Sequence, residues 1–409
     1  MTISPEAVEA AAARGSGVTV ADVPRLDPEP PYVPVAERSA GGLPQVKLPS
    51  GHPVVHLTRY ADVHKVLTDS TFGRAETNVE GGPTFFPTPL PPEMLINLDG
   101  PDHSRMRRFV TADYSANAVA RLAPFLDEVV TRRFAELRAQ ERPDLYTAVL
   151  DPIPIEVTCR FLGIPEEDAA YFRPHSPTIQ KALHDDVPAL MDEFFTSYGY
   201  VTDLVTGKRP VVPGGLIEGF LAGRDEATPP LEDKELVGLV FAAMVAIDQN
   251  VLSVLAKAAL VLLTADSLWQ RAVEDPDVVP QLVEEVIRLV PLGSMSTFPR
   301  VAHREVVTSE GTIFPGDVVY ADAFAANRDP SVYENPLVID PDRKGKRHLQ
   351  FGYGMHHCLG AALARLEISG ILIRLVREFP GLTLDADPES LPWDEGALLR
   401  RPVSLPVRW

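Results

Sequence analysis

The sequence predicts a mainly α-helical protein with small β-sheets at its edges. Apolar residues recur three and four positions apart in many segments after residue 100, as in 103–115 and 119–140, which is typical of amphipathic helices. The β-like runs are short and scattered, at 53–58, 298–308, 311–322 and near the C-terminus. Long helices with short strands favour a helical core with sheets at its edge.

The predicted helices follow in chain order. In "PEEDAAYF" a proline in the first turn, with acidic residues behind it, predicts a helix that begins near residue 165. Further helices are predicted over 187–205, 232–264, 266–274 and 278–290.

Composition and charge exclude some classes of function. The chain has 409 residues, 45% of them hydrophobic and 23% charged, which suffices for a large core. Its formal net charge of −19 argues against a nucleic-acid partner, because such proteins depend on a basic surface. Two cysteines, Cys159 and Cys358, cannot form a disulfide scaffold and indicate a reducing compartment.

The sequence also predicts location and domain organisation. The first residues lack the basic stretch and apolar core of a signal peptide. The best apolar run, 251–263, is 13 residues long and contains Lys257, whereas a membrane span needs roughly 18. We therefore expect a cytoplasmic, monomeric protein without membrane contact. We expect one domain over 1–409, on which residues 1–50 pack as an extension.

The segment "FGYGMHHCLG", residues 351–360, carries the most informative residue. Cys358 precedes an apolar segment with Leu359, Leu363 and Leu366 on one face, which predicts a core helix. The free N–H groups and dipole at that helix start favour a thiolate and lower its pKa. Glycines at 352, 354 and 360 let a bulky group lie against the backbone. These properties suit a soft metal ligand.

On these grounds three interpretations of Cys358 stay open. A free cysteine is most often an ordinary buried residue. A nucleophile activated by His356 or His357 is the second, although adjacency in sequence does not establish catalytic geometry. Zinc is disfavoured because no second cysteine lies nearby. A haem thiolate is the third, and because no C-x-x-C-H is present such a haem is not covalently attached.

The loop resembles the haem-binding signature of cytochromes P450, F-x-x-G-x-x-x-C-x-G, at every fixed position. Other segments resemble the family in the right order between residues 55 and 405. Glu285 and Arg288 in "EEVIR" match its E-x-x-R motif, and Arg343 in "PDR" stands where the family has the third member of that network. The resemblance implies the cytochrome P450 fold.

The same resemblance implies haem b (iron protoporphyrin IX) as the cofactor and Cys358 as its proximal ligand. Such a thiolate pushes electron density onto iron and favours O–O cleavage. The N–H groups of Leu359 and Gly360 are expected to temper that push, and Phe351 to pack beside the sulfur. Haem carboxylates need Arg and His donors when half buried. The other positions that match cofactor contacts of the family are His103, Arg107, Arg300, Gly352 and His356.

The central helix departs from the family's A-G-x-E/D-T-T, whose acid and threonine relay protons to oxygen. A count back from the E-x-x-R motif aligns Ala246 with the first position, Gln249 with the acid and Asn250 with the threonine, while Asp248 lies one position early. An amide does not pass on a proton as a hydroxyl does, and Gln249 does not titrate. Asn250 is then either a water-holding substitute for threonine or a sign of different chemistry. Oxidative coupling of an aromatic or N–H-bearing substrate becomes about as plausible as monooxygenation.

The substrate pocket is predicted to be apolar with a few polar groups. The two phenylalanines of the proline-rich stretch 78–97 either cover the pocket or fill the core. The hydroxyl side chains after the E-x-x-R motif bind either a polar substrate or only the backbone. Such a wall indicates a mid-sized secondary metabolite, aromatic or peptide-like. The residues predicted to face it are Phe85, Phe86, Ala243, Ile247, Ser294, Ser296 and Thr297.

Electrons are expected from a partner, because no flavin or iron–sulfur segment is fused to the chain. Lys344, Lys346 and Arg347 precede the cysteine loop, and Arg105 and Arg108 share its face in the family. On so acidic a chain this cluster predicts a dock for an acidic ferredoxin, itself served by a ferredoxin reductase. For any one residue, a solvated charged turn is an equal alternative.

These features predict an oxidoreductase of the monooxygenase type, which uses dioxygen and acts on a small-molecule substrate. The alternative is a haem-thiolate binding or sensor protein without turnover, which would need neither a reductase dock nor an open pocket.

Overall fold

The computed structural model describes residues 18–26, 41–85, 89–175, 187–292, 296–394 and 399–409, and the backbone of 34–38. Long helices dominate, as the periodicity predicts, and the four helices predicted between 187 and 290 begin and end within one residue of their predicted bounds. The α-helices are α1 (Tyr60–Thr68), α2 (Gly100–Thr111), α3 (Ala116–Val119), α4 (Ala123–Ala139), α5 (Pro152–Leu162), α6 (Ala169–Phe172), α7 (Val187–Val205), α8 (Leu216–Gly223), α9 (Asp233–Thr264), α10 (Asp266–Glu274), α11 (Val279–Leu289), α12 (Ala323–Ala326) and α13 (Ala361–Glu378).

The strands form one larger sheet and two hairpin-sized sheets. In the larger sheet the strands lie in the order β1-β2-β3-β8-β5-β4, with β3 and β8 parallel and the other neighbours antiparallel. The strands are β1 (Pro34–Arg38), β2 (Pro44–Lys47), β3 (Pro53–Leu57), β4 (Phe72–Gly73), β5 (Arg300–Ala302), β6 (Val306–Val307), β7 (Thr312–Ile313), β8 (Val318–Ala321), β9 (Thr383–Leu384) and β10 (Val407–Arg408).

The described N-terminal residues pack against a later part of the chain. The Val20 N–H donates to the Leu337 carbonyl at 3.2 Å, and the Ile339 N–H donates to the Val18 carbonyl at 3.0 Å. Leu26 is buried. Residues 1–17 and 27–33 lie outside the described residues, so the extension over 1–50 and the single domain over 1–409 stay predictions.

The central helix α9 organises the core. It is 32 residues long, most of its side chains are buried, and it packs against α5, α7 and α13. Within the described residues, α9 is the one helix long and apolar enough to cross a bilayer, yet 67% of its most apolar stretch is buried inside the fold. A helix that is apolar on all sides is the expected core element of a large protein.

Two polar side chains of α9 bind the segment that follows α11. Lys257 is 3% exposed, and its Nζ donates to the carbonyls of Pro291 and Leu292 at 2.6 and 2.7 Å. One turn earlier, the Ser253 hydroxyl donates to the same Leu292 carbonyl at 3.1 Å and to that of Arg400 at 3.3 Å. These bonds satisfy carbonyls that would otherwise be buried without a partner.

A buried ion network fixes α11 to the chain that leads into the cysteine loop. Arg288 donates from Nε and Nη2 to the two oxygens of Glu285, both at 2.7 Å, and Arg343 Nε donates to the same carboxylate at 2.9 Å. Arg288 also donates to the Asn327, Pro336 and Val338 carbonyls. Burial alone would raise the pKa of Glu285, but these two arginines hold it below its ordinary value.

We expect Glu285→Ala to destabilise the protein by roughly 3–5 kcal/mol, because it leaves the buried Arg288 charge without its carboxylate. The free energy of unfolding, measured by denaturant titration, and the haem content of the purified protein report the effect. Glu136 is the control, because it is 46% exposed and its partner Arg133 keeps a second carboxylate, Glu156; we expect Glu136→Ala to cost about 1 kcal/mol or less. Wild-type stability and haem content in Glu285→Ala would contradict this role.

Candidate functional site

A cavity of about 290 Å³ joins the cysteine loop to the central helix. Residues of α2, α9, α11 and α13 line it, together with the loop itself. Its wall is mostly apolar. The polar residues that line it are His103, Arg107, Tyr114, Asn250, Gln350, His356, His357 and Cys358.

The floor of the cavity is the cysteine loop. Gly352 and Gly354 both adopt left-handed backbone, with φ of 67° and 69°, and a Cβ on Gly354 would lie 2.5 Å from the Leu67 carbonyl oxygen. The loop closes where the Cys358 N–H donates to the Phe351 carbonyl at 2.8 Å. Glycine is therefore required at 354, and the turn aims Cys358 into the cavity.

The side chain of Cys358 has accessible surface and lines this cavity. Burial raises its pKa, and the N–H groups of Gly360 and Ala361 and the charges of Arg107 and Arg365 act against that rise. The predicted lowering of the thiol pKa is therefore wrong in the protein alone. The N–H donors are those of Gly360 and Ala361, not the predicted pair Leu359 and Gly360, because α13 begins at Ala361.

Two histidines face one another at one end of the cavity. The rings of His103 on α2 and His356 in the loop have their centroids 4.4 Å apart. Both Nε2 atoms are buried without a hydrogen-bond partner, and the nearest acid, Asp99, lies 3.6 Å from His356 Nε2. Burial, the neighbouring His356 and the charge of Arg107 lower the pKa of His103 to about 4. The two rings are thus placed to donate hydrogen bonds to a further acceptor.

Two arginines lie beside these histidines. Arg300 on β5 is 6% exposed, and among the described residues its side chain donates to the Val66 carbonyl, at 3.3 Å. Arg74, which sequence analysis missed, is 4% exposed, and burial followed by the charge of Arg300 lowers its pKa to about 9. Burial raises the pKa of Asp99, but His356 and the backbone N–H groups of Ala75 and Arg74, from which its carboxylate accepts, lower that pKa to about 2.

Comparison with known proteins identifies the family. The chain is 34% identical over 387 residues to nocardicin C N-oxygenase of Nocardia uniformis subsp. tsuyamanensis, covering 94% of this chain and 96% of that protein. It is 33% identical to mycinamicin IV hydroxylase/epoxidase of Micromonospora griseorubida, covering 89% and 92%. The family model of cytochrome P450 matches residues 258–407. The chain belongs to the cytochrome P450 family.

Solved structures agree with this assignment. The structure of cytochrome P450mel 107F1, described as having biaryl coupling reactivity, superposes with a TM-score of 0.83 at 28% identity, covering all of this chain and 96% of that one. The predicted fold class is confirmed, and the protein is a P450 oxidoreductase that takes haem b, a small-molecule substrate, dioxygen and a redox partner. The predicted oxidation of a secondary metabolite is confirmed by the relatives, which are tailoring P450s.

The residues at the cavity fit haem b. The apolar walls suit a macrocycle, and a thiol stands on the floor. The two unpartnered imidazole Nε2 atoms at one end suit carboxylates, and so do the nearby guanidinium groups. Of the predicted cofactor contacts, the structure brings most of the loop residues, Arg107 and both histidines to the cavity wall, whereas Arg300 and Gly352 do not line it. Those on the wall are His103, Arg107, Phe351, His356, Cys358, Leu359 and Gly360.

The central helix presents one polar side chain to the cavity. Along α9, Ala243, Ala246, Ile247 and Asn250 line it, and Asn250 is the only one of its lining residues with a polar side chain. Gln249, predicted to be catalytic beside Asn250, points elsewhere. Its Oε1 accepts from Arg401 Nη2 at 2.8 Å, and neighbouring residues of a helix face different directions.

The carboxylate on α9 also turns away from the cavity. Asp248 is 1% exposed and accepts from Gln249 Nε2 at 2.7 Å. Arg173 pairs with it at 3.4 Å and with Asp151 at 3.0 Å. Burial raises the pKa of Asp248, although Arg173 and Gln249 oppose that shift. Asn250 therefore has no titrating neighbour of α9 on the cavity side.

Three of the other predicted substrate contacts, Phe85, Ser296 and Thr297, do not line the cavity. Phe85 is fully buried beside Tyr320 in a separate cluster with residues of β2 and β3. The hydroxyl of Ser296 is engaged with Tyr320 and Asp322, at 2.9 and 3.2 Å. The hydroxyl of Thr297 donates to the Ala321 carbonyl at 2.6 Å. These side chains contact β8 and the residue that follows it. Phe86 and Ser294 lie outside the described residues.

The wall contains apolar residues that sequence analysis missed. The sequence signals for these residues were weak, because a single aliphatic residue after a proline-rich loop or a helix end cannot be told from any other core residue. The missed residues that line the cavity include Leu95, Ile96, Phe220, Leu239, Val290 and Leu292.

We expect Cys358→Ser to lose the thiolate-type Soret band of the reduced carbonyl complex, because a hydroxyl does not replace a thiolate as an iron ligand. Absorbance spectra of the reduced, CO-treated proteins measure this. Cys159→Ser is the matched control and should keep the band, since Cys159 is buried within α5 among apolar neighbours. A retained thiolate-type band in Cys358→Ser would rule out the assignment.

Proposed function

We propose that this P450 oxidises a mid-sized aromatic or peptide-like secondary metabolite whose polar N–H or O–H group is held by Asn250. The observation that carries the proposal is an apolar cavity with Cys358 on its floor and Asn250 as the single polar group contributed by α9. Haem bound by Cys358 supplies oxidation by activated oxygen. The amide of Asn250 both donates and accepts, so it orients a phenol, amine or amide above that site.

The environment of Asn250 supports a reaction that does not need an acid–alcohol relay. Gln249 and Asp248 bind Arg401 and Arg173 behind the helix, so they do not supply a proton to the cavity through Asn250. An amide orients water or substrate but does not titrate. Oxidative coupling, in which bond formation follows hydrogen abstraction, is consistent with that arrangement, and the similarity to a P450 with biaryl coupling reactivity favours it.

Monooxygenation is the second candidate, and a separate observation favours it. The relatives of highest identity reported above are named as an N-oxygenase and as a hydroxylase/epoxidase. Oxygen insertion at a nitrogen held by Asn250 would use the same cavity and the same orientation of substrate.

Labelled dioxygen distinguishes the two reactions. The assay uses the first compound that shows turnover in a library of phenols and N-acylated aromatic amines. We expect a coupled product without oxygen label, and we expect Asn250→Thr to leave coupling unimproved while diverting some substrate to labelled, hydroxylated product. Mass spectrometry of the products gives both readings.

Asn250→Ala is the companion variant. It removes the amide without adding a hydroxyl, so it should weaken substrate binding without adding label to the product. If the wild-type product carries one labelled oxygen atom and Asn250→Thr forms it faster, coupling is excluded and Asn250 is a weak substitute for threonine.

We also propose that the redox partner is an acidic ferredoxin, reduced by a ferredoxin reductase. Lys344, Lys346 and Arg347 are exposed just before the cysteine loop, and Arg108 is exposed on α2. Arg105 does not belong to this patch, because its guanidinium pairs with Glu235 and donates to the Pro229 carbonyl. Basic charge beside the cysteine loop, on a chain of net charge −19, steers an acidic partner to this face.

Reversal of Lys344, Lys346 and Arg347 to glutamate should slow reduction by a ferredoxin, most of all at low ionic strength, where screening is weakest. Stopped-flow reduction across a salt series measures this. A control with Lys47, Lys208 and Arg408 reversed has the same change in net charge outside the patch and should keep the wild-type rate. Equal rates in both variants would remove the docking proposal.

The proposal also covers the cellular compartment of the enzyme and its oligomeric state. We infer a monomeric enzyme of the bacterial cytoplasm, which is consistent with two cysteines and with the burial of α9 inside the fold. Size-exclusion chromatography with light scattering tests the oligomeric state.

A further inference from the structure

Arg74 is a buried cation whose charge has no direct carboxylate partner in the described chain. Its Nη1 donates to the Thr77 hydroxyl and its Nη2 to the Asn97 Oδ1 at 3.3 Å. Its Nε is buried and without a partner. The guanidinium carbon lies 4.4 Å from the ring centroid of Phe298, so one face of the group is covered. Burial of a guanidinium is costly unless an anion compensates it.

The groups around Arg74 carry an excess of positive charge. Arg107 lines this end of the cavity. Arg74 donates to the Thr77 hydroxyl, which lies 3.2 Å from the carbonyl of Pro299, the residue before Arg300. Asp99 is the acid that faces them, through His356 and the backbone of Arg74. Three guanidinium groups against one carboxylate leave two positive charges uncompensated. The two carboxylates of haem b carry two negative charges, so this count closes only if Arg74 is included.

We infer that Arg74 is a further anchor for the haem carboxylates, acting from the chain before α2 together with Arg300 on β5. The pair reaches the cofactor from two separate elements that meet at Thr77. The Thr77 hydroxyl accepts from the Arg74 guanidinium, and its single proton lies between the Arg74 carbonyl at 2.8 Å and the Pro299 carbonyl at 3.2 Å. Neutral Thr77 and Asn97 orient the guanidinium without cancelling its charge. This inference rests on the haem site, and it holds for coupling and monooxygenation alike.

The rival role for Arg74 is structural. Its bonds to Thr77 and Asn97 also tie residues 74–77 to the chain before α2, and a variant could lose haem merely because this contact loosens. A test must therefore respond to the carboxylates of the haem and not only to haem retention.

The experiment compares two forms of the cofactor in apoprotein reconstituted with each: haem b and its dimethyl ester, in which both carboxylates are neutral. The variants are wild type, Arg74→Met and the exposed control Arg304→Met. Arg304 is 62% exposed and pairs with Asp69 at 3.0 Å. The rate of haem loss to excess apomyoglobin, followed by the Soret band, is the readout, and it requires no turnover.

With haem b, Arg74→Met should lose haem about tenfold faster or more than wild type, the size expected for a lost charge-assisted hydrogen bond. With the dimethyl ester, wild type and Arg74→Met should differ by less than about twofold, because the ester has no charge for Arg74 to bind. Arg304→Met should match wild type with both cofactors.

Two outcomes would overturn the inference. Equal acceleration by Arg74→Met with both cofactors would assign Arg74 to packing alone, and wild-type rates with haem b would exclude any role. If Arg74→Met does not fold, Arg74→Lys takes its place, since it keeps the charge but loses the planar set of donors. It should lose haem b faster than wild type and the ester at the wild-type rate, and any other pattern contradicts the inference.

Discussion

The placement of Cys358 is the constraint on which the other parts of the structure depend. A thiol must stand at the base of an apolar cavity while N–H groups and cations remain close enough to support its charge. The loop meets this need with a left-handed Gly354 that passes against Leu67, and α13 begins directly after it. The long apolar helix α9 also lines the cavity, so the sulfur and this helix border the same mostly apolar space.

Buried charged residues form separate networks around this space, and the networks differ in their charges and in how fully their polar atoms are hydrogen-bonded. In the Glu285 network one carboxylate accepts from two arginines, whose other donors bind main-chain carbonyls, which suits a rigid link between α11 and the chain before the loop. The group around Arg74 and Arg300 is unbalanced and keeps unpartnered polar atoms, which suits a ligand. Behind α9, Asp248 and Arg173 again form a pair, which is fixed away from the cavity. In these three groups, complete hydrogen bonding accompanies a structural role, and unpartnered polar atoms accompany a binding role.

Much of this arrangement is predictable from sequence where a residue type and its spacing act together. The cysteine loop, Glu285 with Arg288, and the long helices belong to this class. The direction in which a side chain points was harder to predict from the sequence. Gln249 follows Asp248 and precedes Asn250, so alignment alone cannot tell which of the three faces the cavity. Ser296 and Phe85 depend on pairing between β8 and β3, which join residues far apart in the chain. Arg74 belongs to no motif, and its role depends on contacts with residues 97 and 298.

The hydrogen bonds between α9 and the segment after α11 affect how the pocket can change in evolution. Lys257 and Ser253 hold the backbone of Pro291 and Leu292, and Leu292 is part of the cavity wall. The spacing between these two walls is thus set by main-chain carbonyls, which no substitution of their own side chains removes. Variation at Ala243, Ala246 or Ile247 can then alter the shape presented to substrate while the width of the chamber stays constant. New substrate ranges are accordingly more accessible to this lineage by exchange of small residues on α9 than by displacement of the facing wall.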